Sequence, residues 1–245
     1  MENKIILVTG ANRGIGFSIV QAVSLRSSDV TLLVAARTYT KAQDAVDQLR
    51  SHGVKAPLQP LELDVTQDDS VSKAVTSVGE KYGCLDVLIN NAGIAPTTSS
   101  TDIPNFRSSW ATVLDTNVTS IALVSTLFLP LLRASRDSKV LNVSSARGSL
   151  TLVTSGANPP TDKIAYSVSK AALNLLTVEM SHSVPELEWQ VASPGWCKTA
   201  FNGFHGPKDP LQGAQVFVEL ALAAKEQYEN GFWQFEDGKM EKVPW

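Results

Sequence analysis

Cysteine and histidine are scarce in this chain of 245 residues, and an excess of either sign of charge is lacking. Its two cysteines, Cys84 and Cys197, lie far apart in no metal-ligand spacing, which excludes a disulfide framework and a zinc site and leaves them as small packing residues of a reducing compartment. The three histidines, His52, His182 and His205, form no paired-ligand pattern, so surface or loop positions are expected and no metal is implied. With 21 basic against 24 acidic side chains the net charge is only −3, which provides no footprint for nucleic acid or an anionic membrane. Long apolar runs are absent at the start, where MENKIILVTG is far shorter than a signal peptide or a membrane span. A cytoplasmic location is expected.

What is present is a globular composition, 43% hydrophobic and 18% charged. Short β-branched runs alternate with longer stretches of helical period, the pattern of a parallel sheet covered on both faces. Strands are expected at KIILVT, VTLLVAA, PLQPLEL, DVLIN, KVLNVS, WQVAS and FWQF, and helices near 14–26, 40–51, 67–81, 106–133, 164–182 and 210–224. Thr66 with Asp68 and Asp69 marks the start of the third helix, since a hydroxyl and carboxylates suit its positive end. The sum is a three-layer doubly wound Rossmann fold with a mostly parallel seven-stranded sheet, one domain over 1–245. Two loops interrupt the rhythm. Gly156, Pro159 and Pro160 rule out regular helix in 148–162, and glycines and prolines fill 196–210 after the sixth strand. Both follow carboxyl ends of strands, where open α/β sheets bind ligands, so both are candidate walls of a substrate pocket.

The first strand ends in VTGANRGIGFSIV, with Gly10, Gly14 and Gly16 directly ahead of a helix. Glycines let the backbone turn tightly against a pyrophosphate, and the helix start offers unpaired N–H groups and positive dipole. At the end of the second strand an NAD site usually offers an acid to the ribose 2′-hydroxyl; here Ala36 stands there, with Arg37 after it and Arg13 in the glycine turn. Two guanidiniums and no acid favour NADP(H) over NAD(H). Further on, Tyr166 and Lys170 stand four apart at the start of a helix, so phenol and ammonium share one face. An ammonium beside a phenol is expected to draw its pKa from near 10 toward neutrality. Of the adjacent Ser144 and Ser145 on the fifth strand only one can face that pocket.

TGANRGIG, Asp64-Val65, NNAG at Asn90 to Gly93, Asn117, Ser144-Ser145, the Tyr166/Lys170 pair and PGWCKT occur in the order of the short-chain dehydrogenase/reductase family, which the chain resembles along nearly its whole length. Within that family it is similar to monomeric, NADPH-using carbonyl reductases. The resemblance implies hydride transfer between a nicotinamide and a small-molecule carbonyl or alcohol, with Tyr166 as proton donor, Lys170 tuning it and holding the ribose, Ser145 holding the reacting oxygen and Asn117 anchoring a relay water. It also implies cofactor contacts from Asn12 and the backbone N–H of Ile15, from Asp64 and Val65 at the adenine, and from Asn91, Ala92 and Gly93 at the adenosine ribose. Thr38 joins Arg37 at the 2′-phosphate. Pro194, Gly195, Cys197 and Thr199 flank the nicotinamide and diphosphate, Cys197 through its backbone, and Trp196, Phe201, Phe204 and Trp110 are candidates for an apolar substrate wall. One departure stands out: Ser145 precedes Tyr166 by 21 residues, against about 13 in many members. The excess is similar to the segment carbonyl reductases carry there, and because it neighbours a common pairing surface a monomer is expected over a homo-oligomer. An inactive dinucleotide sensor is the alternative, although a sensor has no need of the serine, tyrosine and lysine together.

Overall fold

The structure, a computed structural model, describes residues 3–96 and 103–245. Six parallel crossovers join strands β1 (Lys4–Val8), β2 (Val30–Ala36), β3 (Leu58–Glu62), β4 (Val87–Asn90), β5 (Lys139–Val143), β6 (Glu188–Ser193) and β7 (Phe232–Glu236). An eighth strand, β8 (Lys239–Lys242), returns antiparallel along β7, giving one sheet in the order β3-β2-β1-β4-β5-β6-β7-β8. The expectation of seven strands is corrected to eight. Asp237 and Gly238 both adopt positive φ, 50° and 80°, which is the geometry of a two-residue hairpin turn. The strand that follows is short and charged, KMEK, as suits an exposed sheet edge. Pro60 is tolerated in β3 because that strand forms the opposite edge.

Helices α1 (Gly14–Arg26), α2 (Tyr39–Ser51), α3 (Asp68–Tyr82), α4 (Phe106–Leu114), α5 (Ser120–Arg133), α6 (Leu150–Thr154), α7 (Ile164–Ser183) and α8 (Pro210–Leu222) complete the chain. Alternate strand residues feed two cores. Ile6, Val8, Leu32 and Val34 pack with α1, α2 and α8, whereas Ile5, Leu7, Leu33 and Ala35 pack with α3 and α5. Each fully buried large apolar side chain contributes about 1.5–3 kcal/mol, so the strands are the rigid part and their carboxyl ends are fixed relative to one another.

Three local expectations are refined. Phe106–Arg133 is one run of 28 residues, apolar and long enough to cross a bilayer, yet Val124, Phe128 and Leu132 lie in the core and the run is broken by a π-turn at Asp115–Thr119. Thr66 does not cap α3: its hydroxyl donates to Asp64 Oδ1 at 2.8 Å, and Gln67 occupies the cap, while Asp68 and Asp69 do sit in the first turn. The segment 148–162 does contain regular helix, α6, because Gly156, Pro159 and Pro160 all fall after it and Ser149 caps its start.

Candidate active site

Strand order reverses between β1 and β4, and beyond the carboxyl ends at such a switch point open α/β sheets form the crevice that binds ligands. Thr9 and Asn91 sew its floor together. Thr9 Oγ1 accepts from the N–H groups of Asn91 (2.9 Å) and Ala92 (3.0 Å), while Asn91 Nδ2 donates to the carbonyls of Thr9 (2.8 Å) and Gly10 (3.1 Å). The Asn91 side chain thus shapes the glycine turn. Gly10 has φ 61°, and a Cβ there would lie 3.0 Å from Ala92 Cα; a Cβ on Gly16 would lie 2.4 Å from Asn91 Nδ2. Helix α1 has no side-chain cap and no acid in its first turn, so the N–H groups around Gly14, Ile15 and Gly16 are left for an anion. Thr199, from the loop after β6, approaches the same turn: its Cβ lies 3.8 Å from where a Gly14 Cβ would stand. These residues fit a dinucleotide diphosphate, the backbone making the cradle and Thr199 facing it.

Arg37, at the end of β2, and Arg13, in the glycine turn before α1, are exposed and in no ion pair with described residues. Thr38 spends its hydroxyl on capping α2, accepting from Lys41 N at 3.4 Å. The reading that no acid stands here needs correction. Glu62, the last residue of β3, pairs in register with Ala36 and accepts the Tyr39 N–H at 3.0 Å. A neighbouring strand therefore supplies the carboxylate that β2 lacks. Asp64 folds into its own loop, accepting from Thr66 N at 3.1 Å, with Val65 buried beneath it.

The reacting groups gather beyond β5. Ser144 is buried and donates to Asn174 Oδ1 on α7 at 2.6 Å, so the next residue, Ser145, faces the other way. Its Oγ accepts the Arg147 N–H at 3.2 Å and stands near enough to Tyr166 to lower the phenol. Lys170 Nζ donates to the Val143 carbonyl at 2.7 Å, lies 5.7 Å from the Tyr166 ring centre, and stands 3.8 Å from where a Gly93 Cβ would be. Ser145, Tyr166 and Lys170 are thereby brought together. Burial pushes the Tyr166 phenol up to about 12, outweighing the lowering by the Ser145 hydroxyl and the Arg147 charge. Burial also lowers Lys170 to about 8. The expected fall of the tyrosine under the influence of Lys170 is not found, because desolvation of the hydroxyl dominates.

Asn117 is fully buried within the π-turn. Its Oδ1 accepts from Ile94 N at 2.9 Å, and its Nδ2 donates to the Ile94 carbonyl (2.8 Å) and to Ser169 Oγ (3.0 Å). The amide is wholly engaged in pinning the loop after β4 to α7. A π-turn in a helix frequently marks a functional position.

Beyond β6, Gly195 turns at φ 78° beside Pro194. Cys197 is buried, its Sγ donating to the Pro194 carbonyl at 3.2 Å, and burial raises its thiol to about 11, so it is a packing residue. Lys208 doubles back on this segment, bonding Glu236 at 2.7 Å and the Phe235 carbonyl at 2.8 Å. Trp196, Phe201 and Phe204 are 62%, 48% and 59% exposed, and the Phe201 ring meets Tyr166 edge-on at 5.8 Å. Trp110 instead leans on Phe106 along α4. Sequence reasoning missed Glu62, Arg147 and Asn174. Only Asn174 had a legible signal, since it continues the four-residue spacing of Tyr166 and Lys170 on α7.

A doubly wound sheet with a glycine turn at its switch point defines an α/β protein of the Rossmann type. The profile of the family described as short chain dehydrogenase matches residues 4–209, and the chain belongs to that family. It is 37% identical to a short-chain dehydrogenase/reductase of Aspergillus fumigatus over 262 aligned positions, covering all of this chain and 98% of that one. Among solved structures it resembles the carbonyl reductase Sniffer of D. melanogaster (TM-score 0.82, 27% identity, both chains covered in full). It also resembles an NADPH-bound carbonyl reductase from chicken fatty liver (TM-score 0.80, 28% identity, 100% and 99% of the two chains).

Proposed function

We propose that the chain, as one unit over 1–245, is an NADPH-dependent reductase of ketone, aldehyde or quinone carbonyls, reversible as alcohol oxidation. The observation that carries this reading is the gathering of Ser145, Tyr166 and the Lys170 amine, 5.7 Å from the tyrosine ring centre, beyond a sheet whose glycine turn suits a diphosphate. The bound nicotinamide dinucleotide supplies the hydride. Ser145 holds the carbonyl oxygen, because a donor already aimed at developing negative charge stabilises it best. Tyr166 delivers its proton to that oxygen; with the phenol held near 12 it remains protonated throughout the neutral range, which suits the reductive direction. Lys170 has two N–H groups beyond the one given to Val143 for a ribose and for the tyrosine. The Asn117 side chain is fully engaged, so only its backbone is left to anchor a relay water that leads to Lys170. Trp196, Phe201 and Phe204 at the rim favour an apolar, planar substrate.

NADPH is favoured over NADH by Arg13 and Arg37, and the NADPH bound by the chicken carbonyl reductase supports it. Glu62 opposes it. Purified protein is expected to oxidise NADPH with a dicarbonyl or quinone, and Tyr166→Phe to lower turnover by about 10²-fold or more while cofactor binding persists. Full activity in Tyr166→Phe defeats the mechanism, and wild-type binding without turnover on any carbonyl supports the sensor instead. Arg37→Asp is expected to weaken NADPH relative to NADH by about tenfold or more, and Glu62→Gln to strengthen it by about two- to fivefold, read from fluorescence titration with both cofactors. No change in either variant places the 2′-phosphate elsewhere. Size-exclusion chromatography with light scattering tests the proposed monomer.

A further inference from the structure

Tyr166, Lys170 and Asn174 stand four apart on one face of α7, and the mechanism above uses only the first two. Asn174 is 4% exposed and commits both ends of its amide to the turn after β5. Its Oδ1 accepts from Ser144 Oγ at 2.6 Å, and its Nδ2 donates to the Gly148 carbonyl at 3.1 Å. The two anchors straddle Ser145. Between them and α7 there is no slack: a Cβ on Gly148 would lie 2.7 Å from the Lys170 carbonyl carbon and 2.8 Å from its oxygen. One turn further along, Thr177 accepts from Asn142 Nδ2 at 2.8 Å, which ties α7 to β5, and Asn158 Nδ2 holds the Ala146 carbonyl at 2.7 Å from outside, so among the described side chains of α7 it is Asn174 that bonds the two ends of the turn. Two satisfied amide bonds contribute about 1 kcal/mol each, and a leucine would fill the space but leave the Ser144 hydroxyl and the Gly148 carbonyl without partners there. What the amide adds is direction.

We propose that Asn174 is a positioning residue that sets the Ser145 hydroxyl against Tyr166 by clamping the turn 144–148 onto α7; this rests on the catalytic reading of Ser145, Tyr166 and Lys170. A displacement of about 1 Å at a reacting group is enough to cost roughly 10²-fold in rate, so the clamp is read in turnover and not in binding.

The test is a double-mutant cycle followed by single-turnover NADPH oxidation. In the otherwise native protein Asn174→Leu is expected to lower the chemical rate by about tenfold or more, with NADPH affinity and substrate KM within about twofold. In a Ser145→Ala background the same change is expected to cost less than about twofold, because the group being positioned is already gone. A merely structural asparagine would show equal losses in both backgrounds, and that result, or a native-background rate within about twofold of the parent, overturns the proposal. Should Asn174→Leu fail to fold, Ser144→Ala removes one anchor alone; a loss of about three- to tenfold confined to the Ser145 background supports the clamp, and no loss overturns it. Tyr166→Phe separates the two levels. If it keeps full turnover, the catalytic reading has failed; if it is inactive while Asn174→Leu is not impaired, only the clamp has failed.

Discussion

Lys170 shows how a single residue in this site trades stability for chemistry. Its amine is 4% exposed and burial lowers it from 10.5 to about 8, so between those values the unfolded chain holds a proton that the folded chain releases. The sign follows: the penalty for a buried ammonium is fully present below pH 8, shrinks as pH rises, and is gone above 10.5. Its size is about 3 kcal/mol. Lys170→Met would remove that penalty but leave the Val143 carbonyl without its donor, a loss of about 1 kcal/mol, for a net gain near 2 kcal/mol. Lys170→Met is therefore expected to melt several degrees higher at pH 7, to lose that advantage progressively toward pH 10, and to have little turnover. Differential scanning fluorimetry across pH 7–9.5 reads this before Tyr166, raised from 10.0 to about 12, begins to act in the opposite sense. A lower melting point at pH 7 would mean that the bond to Val143 outweighs desolvation.

At the scale of elements, the sequence was most legible where period and burial coincide. The fully buried β2 and the glycine turn into α1 stand where apolar runs and glycines indicated, because a parallel sheet covered on both faces leaves little freedom in either. Strand β8 went unread although Asp237-Gly238 is a strong hairpin signal, since KMEK has no apolar alternation to attract notice. The π-turn was illegible for a different reason. One extra residue per turn leaves the composition of a helix unchanged, and its purpose appears only when Asn117 is seen reaching Ile94 and Ser169. Likewise the two-residue alternation of β5 could say that Ser144 and Ser145 diverge, but not which faced outward; Asn174, 30 residues later, settles the orientation of Ser144. Glu62 was missed because the search for an acid followed one strand, whereas the sheet places its neighbour's last side chain at the same corner.

Across the whole molecule, the two ends of the sheet divide the work. Reacting groups collect at the carboxyl ends of β5 and β6, while the opposite ends carry a buried ionic knot. Lys139, the first residue of β5 and 1% exposed, lies 2.9 Å from Glu188 Oε2 at the start of β6 and donates to the Ala223 carbonyl behind α8 at 2.9 Å. Glu188 also accepts from the Glu226 N–H. Removing one member of such a pair strands the other charge in the interior, so Lys139→Met is expected to cost about 3–5 kcal/mol. The knot stands about 20 Å from Ser145 along the strand, six residues at extended spacing, and sites so far apart act independently. Turnover of the folded variant, assayed well below its melting transition, should thus match the parent. Adding Glu188→Leu should restore most of the lost stability, because an apolar pair of similar volume replaces an ion pair at little cost. A fall in turnover tracking the loss of stability would show instead that the far end of the sheet helps to hold Ser145 in place.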